Sequence, residues 1–343
     1  MKRALVLLAL TIGCSSSTAD PPPPVEAGVP EWKPVIQGLS GTLLSIWGTS
    51  AKDMWTVGGP LGNGGEPTVL RFDGTAWTAQ HLGGAETFWW VHGTSANDVW
   101  LVGERGRIVH WDGARFEERP SGTTVTLFGV WAAAPNDVWA VGGTPDAPSE
   151  PNDVVLHWDG ATWKPETLPQ TNKSALFKVW GANANDVWVV GENAVMWRRK
   201  DGTWKREAEG VAKGRLTTIH GCSATEIVAV GGRDLLEYDG ATWKRSTVPL
   251  VNDVNGVACA SGKTPNGRFV VVGGGSLKLR RVGTEWVDDF GAEPFQDLHG
   301  AWADENGDLW GAGGAFTTSA RPGASRNGVV ARYGMGLAPT TLR

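Results

Sequence analysis

The sequence predicts an all-β chain: a seven-bladed β-propeller of four-stranded antiparallel blades, with an N-terminal strand closing the last blade. Three observations predict it. A segment recurs seven times at a mean spacing of about 42 residues. Most copies carry an Asp-Gly hairpin signal. The 343 residues include 48 Gly and 20 Trp, so tight turns and large flat side chains favour short strands over helices.

In chain order, the first element is an export segment, residues 1–13. Lys2 and Arg3 are its charged start and Ala4 to Leu10 its apolar core, a run too short to span a bilayer. Small residues follow up to Gly13 and Cys14. This Gly-Cys ending resembles the bacterial lipobox, in which the Cys becomes the lipidated first residue. Thr11 departs from the Leu usual at that position, and ordinary secretion with Cys14 removed or unmodified is the alternative. The resemblance implies lipid attachment at Cys14, and Ser15 after it implies sorting to the outer membrane. Acyl chains anchor through buried methylenes, so this reading needs no transmembrane helix.

Residues 14–30, with Pro21 to Pro24 in a row, have the composition of an extended tether. Without Lys2 and Arg3 the chain has 29 basic residues against 36 acidic ones, a net charge of −7. That balance argues against nucleic acid or an anionic membrane surface as the partner, since both demand concentrated positive charge.

The repeats occupy residues 31–337. Their clearest copies are IWGTSAKDMWTVGG from Ile46, VHGTSANDVWLVG from Val91, VWAAAPNDVWAVGG from Val130 and VWGANANDVWVVG from Val179. Weaker copies begin at Ile219, Gly256 and Ala301. The markers Trp55, Trp100, Trp139, Trp188, Val228, Val270 and Trp310 are 39 to 49 residues apart, the length of one blade. Within a copy, a short apolar strand ending in Trp-Gly or His-Gly leads to an Asn/Asp turn and the VWAVGG strand. A third strand ends in aromatic-Asp-Gly, as in LRFDGTAW from Leu70 to Trp77, and a fourth opens with Trp. Gly takes positive φ at such a turn without penalty.

The seventh copy ends with VVARYG, Val329 to Gly334, and no Trp-led strand follows it. The missing strand is found at the other end, where EWKPVIQ from Glu31 parallels TWKPETL from Thr162. Glu31 to Gln37 is therefore expected to complete the last blade, leaving residues 338–343 as a C-terminal tail. Closure also removes sheet edges open to aggregation. Because each blade lies between two others, the recurrent Trp residues are expected in the inter-blade core. The adjacent Trp89 and Trp90 are the exception, since neighbours on a strand point to opposite faces and one of them is left for the channel or rim.

With NDVW, WDG and a following Trp in each blade, the chain resembles repeat-containing lipoproteins of bacterial envelopes, and more distantly the Asp-box and kelch-type propellers. The turn reads Asp73-Gly74-Thr75-Ala76-Trp77, without the residue that an Asp-box places between Asp and Gly, so sialidase-like chemistry does not carry over.

No catalytic residue is assigned. Asp53, Asp98, Asp137, Asp186 and Asp308 occupy equivalent positions in separate blades, which points to turn amides as their partners. The histidines, His81, His92, His110, His157, His220 and His299, show no metal-ligand spacing and read as packing residues. No cofactor and no metal is expected. Cys222 and Cys259 end the first strands of neighbouring copies and are placed to form a disulfide, with two buried free thiols as the alternative. The ligand-binding residues stay unassigned, and loops are expected to carry them. The second-to-third strand connections are long at Pro60 to Pro67, Thr144 to Asp153 and Phe316 to Asn327. The expected role is non-enzymatic binding or scaffolding on a bacterial envelope membrane, periplasmic or surface-exposed, with a protein or glycan partner. A carbohydrate-active lyase or glycosidase is the alternative.

Overall fold

The computed structural model describes residues 29–60, 65–147, 152–170, 174–250, 252–260, 262, 264–314, 327–336 and 339–343. Cys14, the export segment and all of the tether but its last two residues lie outside them. Seven antiparallel sheets are arranged so that the innermost strands of successive sheets pack side by side, and the last against the first. In blade 1 the strands run outward as Leu43–Ser50, Asp53–Pro60, Pro67–Phe72 and Ala76–Ala79. The inner strands of blades 2 to 7 are Phe88–Ser95, Thr126–Ala134, Leu176–Asn183, Thr218–Ser223, Val254–Cys259 and Leu298–Ala303. Among the described residues the one helical element is a single 3-10 turn, Glu104–Gly106, and no helix is long and apolar enough to cross a membrane.

The closing strand is Glu31–Leu39, antiparallel to Gly328–Gly334, with Trp32 opposite Tyr333. The C-terminal tail also joins the fold. Thr341–Leu342 adds a short parallel fifth strand outside Ala76–Ala79, and Thr340 donates through both its amide and its hydroxyl to Val35 O, at 2.8 and 2.9 Å. One short segment therefore clasps the outer strands of the last and first blades.

The hydrophobic core is a set of layers between blades. Trp55, Val57 and Val69 of blade 1 pack on Phe88, Val91 and Leu101 of blade 2, and the pattern continues around the ring. The NDVW tryptophans, Trp55, Trp100, Trp139, Trp188 and Trp310, are at most 2% exposed. Each faces a cationic or imidazole side chain of the third strand. Arg71, Arg198 and Arg332 lie over the rings of Trp55, Trp188 and Trp310, while His110 and His157 stack on Trp100 and Trp139 at 4.1 Å.

Those same third-strand groups bind the repeated aspartates, which corrects the turn-amide expectation. Asp53 accepts from Arg71, Asp98 from His110 at 2.7 Å, Asp137 from His157 at 2.8 Å, Asp186 from Arg198 at 2.6 Å, and Asp308 from Arg332. Each carboxylate starts the second strand or, for Asp308, immediately precedes it, so it lies level with the end of the third strand rather than over its own turn. Amides of the first-to-second strand turns are bonded instead by Ser50, Ser95, Asn183, Ser223 and Asp304, and those of the third-to-fourth strand turns by the WDG aspartates. Asp73 accepts from the amides of Thr75 and Ala76, both at 2.8 Å, and these bonds with the Thr75 hydroxyl pull its carboxyl down to about 2.

The expectation for the Trp-Gly tryptophans is met in part. Trp47, Trp131, Trp180 and Trp302 line the narrow central channel, and of these Trp131 and Trp180 are also buried in the inter-blade core, as expected, while Trp47 and Trp302 pack against its edge. The rings of Trp47, Trp131 and Trp180 cover the following blade's glycine, where a Cβ on Gly93, Gly181 or Gly221 would come within 2.9, 2.4 and 2.4 Å of them. Where the preceding blade presents a smaller ring, the glycine is replaced. His92 precedes Ala132 and accepts its amide at 3.1 Å, and His220 does the same for Cys259 at 3.2 Å.

This pairing predicts coupling. Gly181→Ala should destabilise by about 1–3 kcal/mol through overpacking against Trp131. Adding Trp131→His, the combination found at His92 and Ala132, should return part of that loss in a double-mutant cycle read by urea unfolding. Strict additivity of the two changes would contradict the packing rule.

Candidate functional site

Six of the seven inner strands carry a β-bulge near their start. The residues skipped in pairing are Leu44, Trp89, Phe128, Phe177, Asn255 and His299. A bulge interrupts the two-residue alternation and re-aims a side chain. The close approach is permitted by the glycine that ends the VG element of the second strand. A Cβ on Gly58, Gly142 or Gly313 would come within 1.9, 2.1 and 2.0 Å of the carbonyl oxygen of the residue two before the bulge.

All six bulged residues line one cavity of about 230 Å³ at the mouth of the channel. Trp90, Lys178, Thr217, Thr218, Arg215 and Pro145 complete its wall. Trp89 and Trp90 thus both reach the cavity, against the expectation that only one would, because the bulge at Trp89 breaks the alternation between them. Pro145 comes from the described foot of the Thr144 to Asp153 loop. The interior of that loop, like those of the other two long loops, falls outside the described residues.

The wall is two-sided. Trp89, Trp90, Phe128 and Phe177 form an aromatic side from blades 2 to 4, with Trp89 edge-on to Phe128 and Phe128 edge-on to Phe177, at 4.8 and 5.4 Å. Blades 4 to 7 supply Lys178, Arg215, Thr217, Thr218, Asn255 and His299. Arg215 lies over Phe177 at 5.3 Å and pairs with Asp146 and Glu192, at 3.2 and 3.4 Å. Lys178 is 5% exposed, and its Nζ donates to Phe128 O at 3.2 Å. The same Nζ lies 2.9 Å from the centre of the Trp90 ring. Burial pushes its pKa well below the ordinary 10.5.

Below the mouth, the channel narrows to about 30 Å³ between the Trp-Gly rings, His92 and His220. Desolvation holds His92 down at about 3 and His220 at about 4, against an ordinary value of 6.5. Because both folded values lie below the unfolded one, the unfolded chain binds more protons below pH 6.5. Stability from these groups is complete above that pH and is lost as pH falls towards 4. Their rings face the channel, which discounts the size of the effect. Unfolding free energy is expected to drop by about 1–2 kcal/mol between pH 7 and pH 5. His92→Gln with His220→Gln should flatten that slope in urea titrations.

Cys222 and Cys259 are joined as a disulfide between the inner strands of blades 5 and 6, with Cα atoms 5.4 Å apart. Among the described residues no group of three or more His, Cys, Asp and Glu is arranged to hold a metal. The cavity wall carries no carboxylate among them either.

No family model and no curated protein matches the chain in sequence. Solved structures do match in shape. A structure described as YCF48 bound to D1 peptide superposes with a TM-score of 0.64 at 15% identity, over 88% of this chain and 96% of that one. YCF48 from Cyanidioschyzon merolae gives 0.63 at 15%, over 89% and 98%. A streptogramin B lyase gives 0.65 at 13%, over 89% and 98%. The chain is folded as these propellers are. At such identities the likeness establishes the fold alone.

Neither Lys178 nor the bulged positions other than Trp89 and His299 stood out in the sequence. A signal was nevertheless present. Three residues before the Trp-Gly or His-Gly position the blades read Leu44, Trp89, Phe128, Phe177, Thr217, Asn255 and His299, a register that varies in chemistry while the core registers beside it do not.

Proposed function

We propose that the chain is a non-enzymatic binding propeller, held on a bacterial envelope membrane by lipid at Cys14, spaced from it by the tether, and taking its ligand at the mouth of the channel. The observation that carries this reading is the two-sided cavity, aromatic on one wall and rich in hydrogen-bond donors on the other. Such a site combines apolar burial with a few orienting polar groups. That a propeller of similar shape has been solved with a peptide supports the reading. Glycoside hydrolysis would need a pair of carboxylates across the site, and the described wall offers none.

The test is photocrosslinking in intact cells, with a benzophenone amino acid in place of Phe177 and, as control, of Phe295, which is 64% exposed and does not line the cavity. A product captured from Phe177 and not from Phe295 is expected. The same pattern from both sites would overturn the cavity assignment. Release of a Cys14→Ser variant from the membrane fraction tests the anchor independently.

A further inference from the structure

We propose that the mouth cavity recognises a carboxylate carried on one compact apolar group, with the carboxylate pairing with Lys178 Nζ and the apolar group lying against Trp90 and Phe128. This rests on the binding reading above and names its ligand class.

Lys178 stands at a register where the other blades place Ser45, Trp90, Gly129, Thr218, Gly256 and Gly300, so it is the one charged residue in that layer. Burying a lysine is costly, and an apolar side chain would fill the layer at no such cost. The amine is nevertheless held in place by Phe128 O and the Trp90 ring, and no carboxylate pairs with it among the described residues. It lines both the mouth cavity and the narrower channel beneath. A cavity of about 230 Å³ accepts a carboxylate and a group the size of one side chain, so anything larger must extend past Arg215 into solvent.

Burial penalises the charged form of the amine and lowers its pKa. An incoming anion favours the charged form, so binding a carboxylate forms an ammonium–carboxylate pair and is accompanied by proton uptake. The other charged and titratable groups facing the site do not compete for this role. Arg215 at the rim is already paired with Asp146 and Glu192. His299 across the mouth, and His92 and His220 in the layer below with Asp98 behind His92, have imidazoles held low by desolvation. Affinity for the acid should therefore weaken as pH rises from 6 to 9, and affinity for its uncharged amide should not.

The experiment is calorimetry of the chain in phosphate and Tris buffers, with phenylacetate against phenylacetamide, and N-acetylphenylalanine against its amide. The expected result is binding of an acid at least tenfold tighter than its amide at pH 7.5, with proton uptake on binding the acid and none on binding the amide. Lys178→Met should remove both the preference and the uptake. A preference for N-acetylphenylalanine identifies a peptide C-terminus as the natural source, and a preference for phenylacetate a free acid. Should the Met variant fail to fold, the pH series on the unaltered chain makes the same test. Equal binding of acid and amide, proton uptake that persists in Lys178→Met, or no binding of any probe would each overturn the carboxylate assignment. The photocrosslinking result decides separately whether the cavity binds anything.

Discussion

Trp32→Ala is expected to destabilise the protein by about 3–5 kcal/mol, the range for removing a fully buried aromatic side chain. Trp32 is 2% exposed and belongs to the strand that closes the ring. It packs on Tyr333 with ring centres 5.7 Å apart, and its Nε1 donates to Asp289 Oδ2 at 3.0 Å. Asp289 is also gripped through both oxygens by Arg280, at 2.5 and 3.0 Å, and Arg280 lies 4.0 Å over Tyr333. The indole thus joins the N-terminal strand, the third strand of blade 7 and the outer edge of blade 6. Its loss leaves a void and removes a donor from a charged network, two costs that add to each other. Trp32→Phe should retain most of the packing and lose about 1–2 kcal/mol. Urea unfolding followed by tryptophan fluorescence and by circular dichroism checks both values. A Trp32→Ala protein within about 1 kcal/mol of the parent would mean that the ring does not depend on its closing strand.

Removing the disulfide as a pair, Cys222→Ala with Cys259→Ala, is expected to cost about 3–4 kcal/mol. The bond closes a loop of 37 residues, and the chain-entropy relation assigns about 4 kcal/mol to a loop of that length. The site explains why a cross-link fits here and not between other blades. Cys259 occupies the position that is Gly in blades 1, 2, 4 and 5, and it is accommodated because His220, rather than Trp, precedes it in the neighbouring blade. Cys222 follows Gly221 on the adjacent inner strand, which brings the two Cα atoms to 5.4 Å. Intact mass before and after reduction with alkylation establishes the bond, and urea titration of the paired variant measures its worth. An unchanged unfolding midpoint on reduction would show that the bond contributes nothing to the native state.

Much of the architecture was legible in the chain because a blade is a local object. Its four strands are sequence neighbours, its turns carry Asp-Gly, and seven copies of one pattern reinforce each other. Even the closing strand could be found, since Trp32 and Pro34 repeat Trp163 and Pro165. The partners of Asp53 and its equivalents were misread for a physical reason. A turn amide is near in sequence, whereas the third-strand Arg or His that binds the carboxylate becomes near only once the sheet has formed. The two classes of Trp look alike in composition. What separates them is the strand they occupy: the second strand for those packed under a third-strand Arg or His, the inner strand for those covering the next blade's glycine.

By itself, the sequence determined the number of blades, the order of strands within each and the way the ring is closed, because periodicity and turn chemistry act over a few residues. Tertiary structure alone decided where the cavity lies and what lines it. Its wall takes residues from each of seven copies about 40 residues apart, in six of them at a bulge where the alternation of a strand fails. Lys178, Trp90 and Phe128 meet there only because the ring sets blades 2, 3 and 4 side by side.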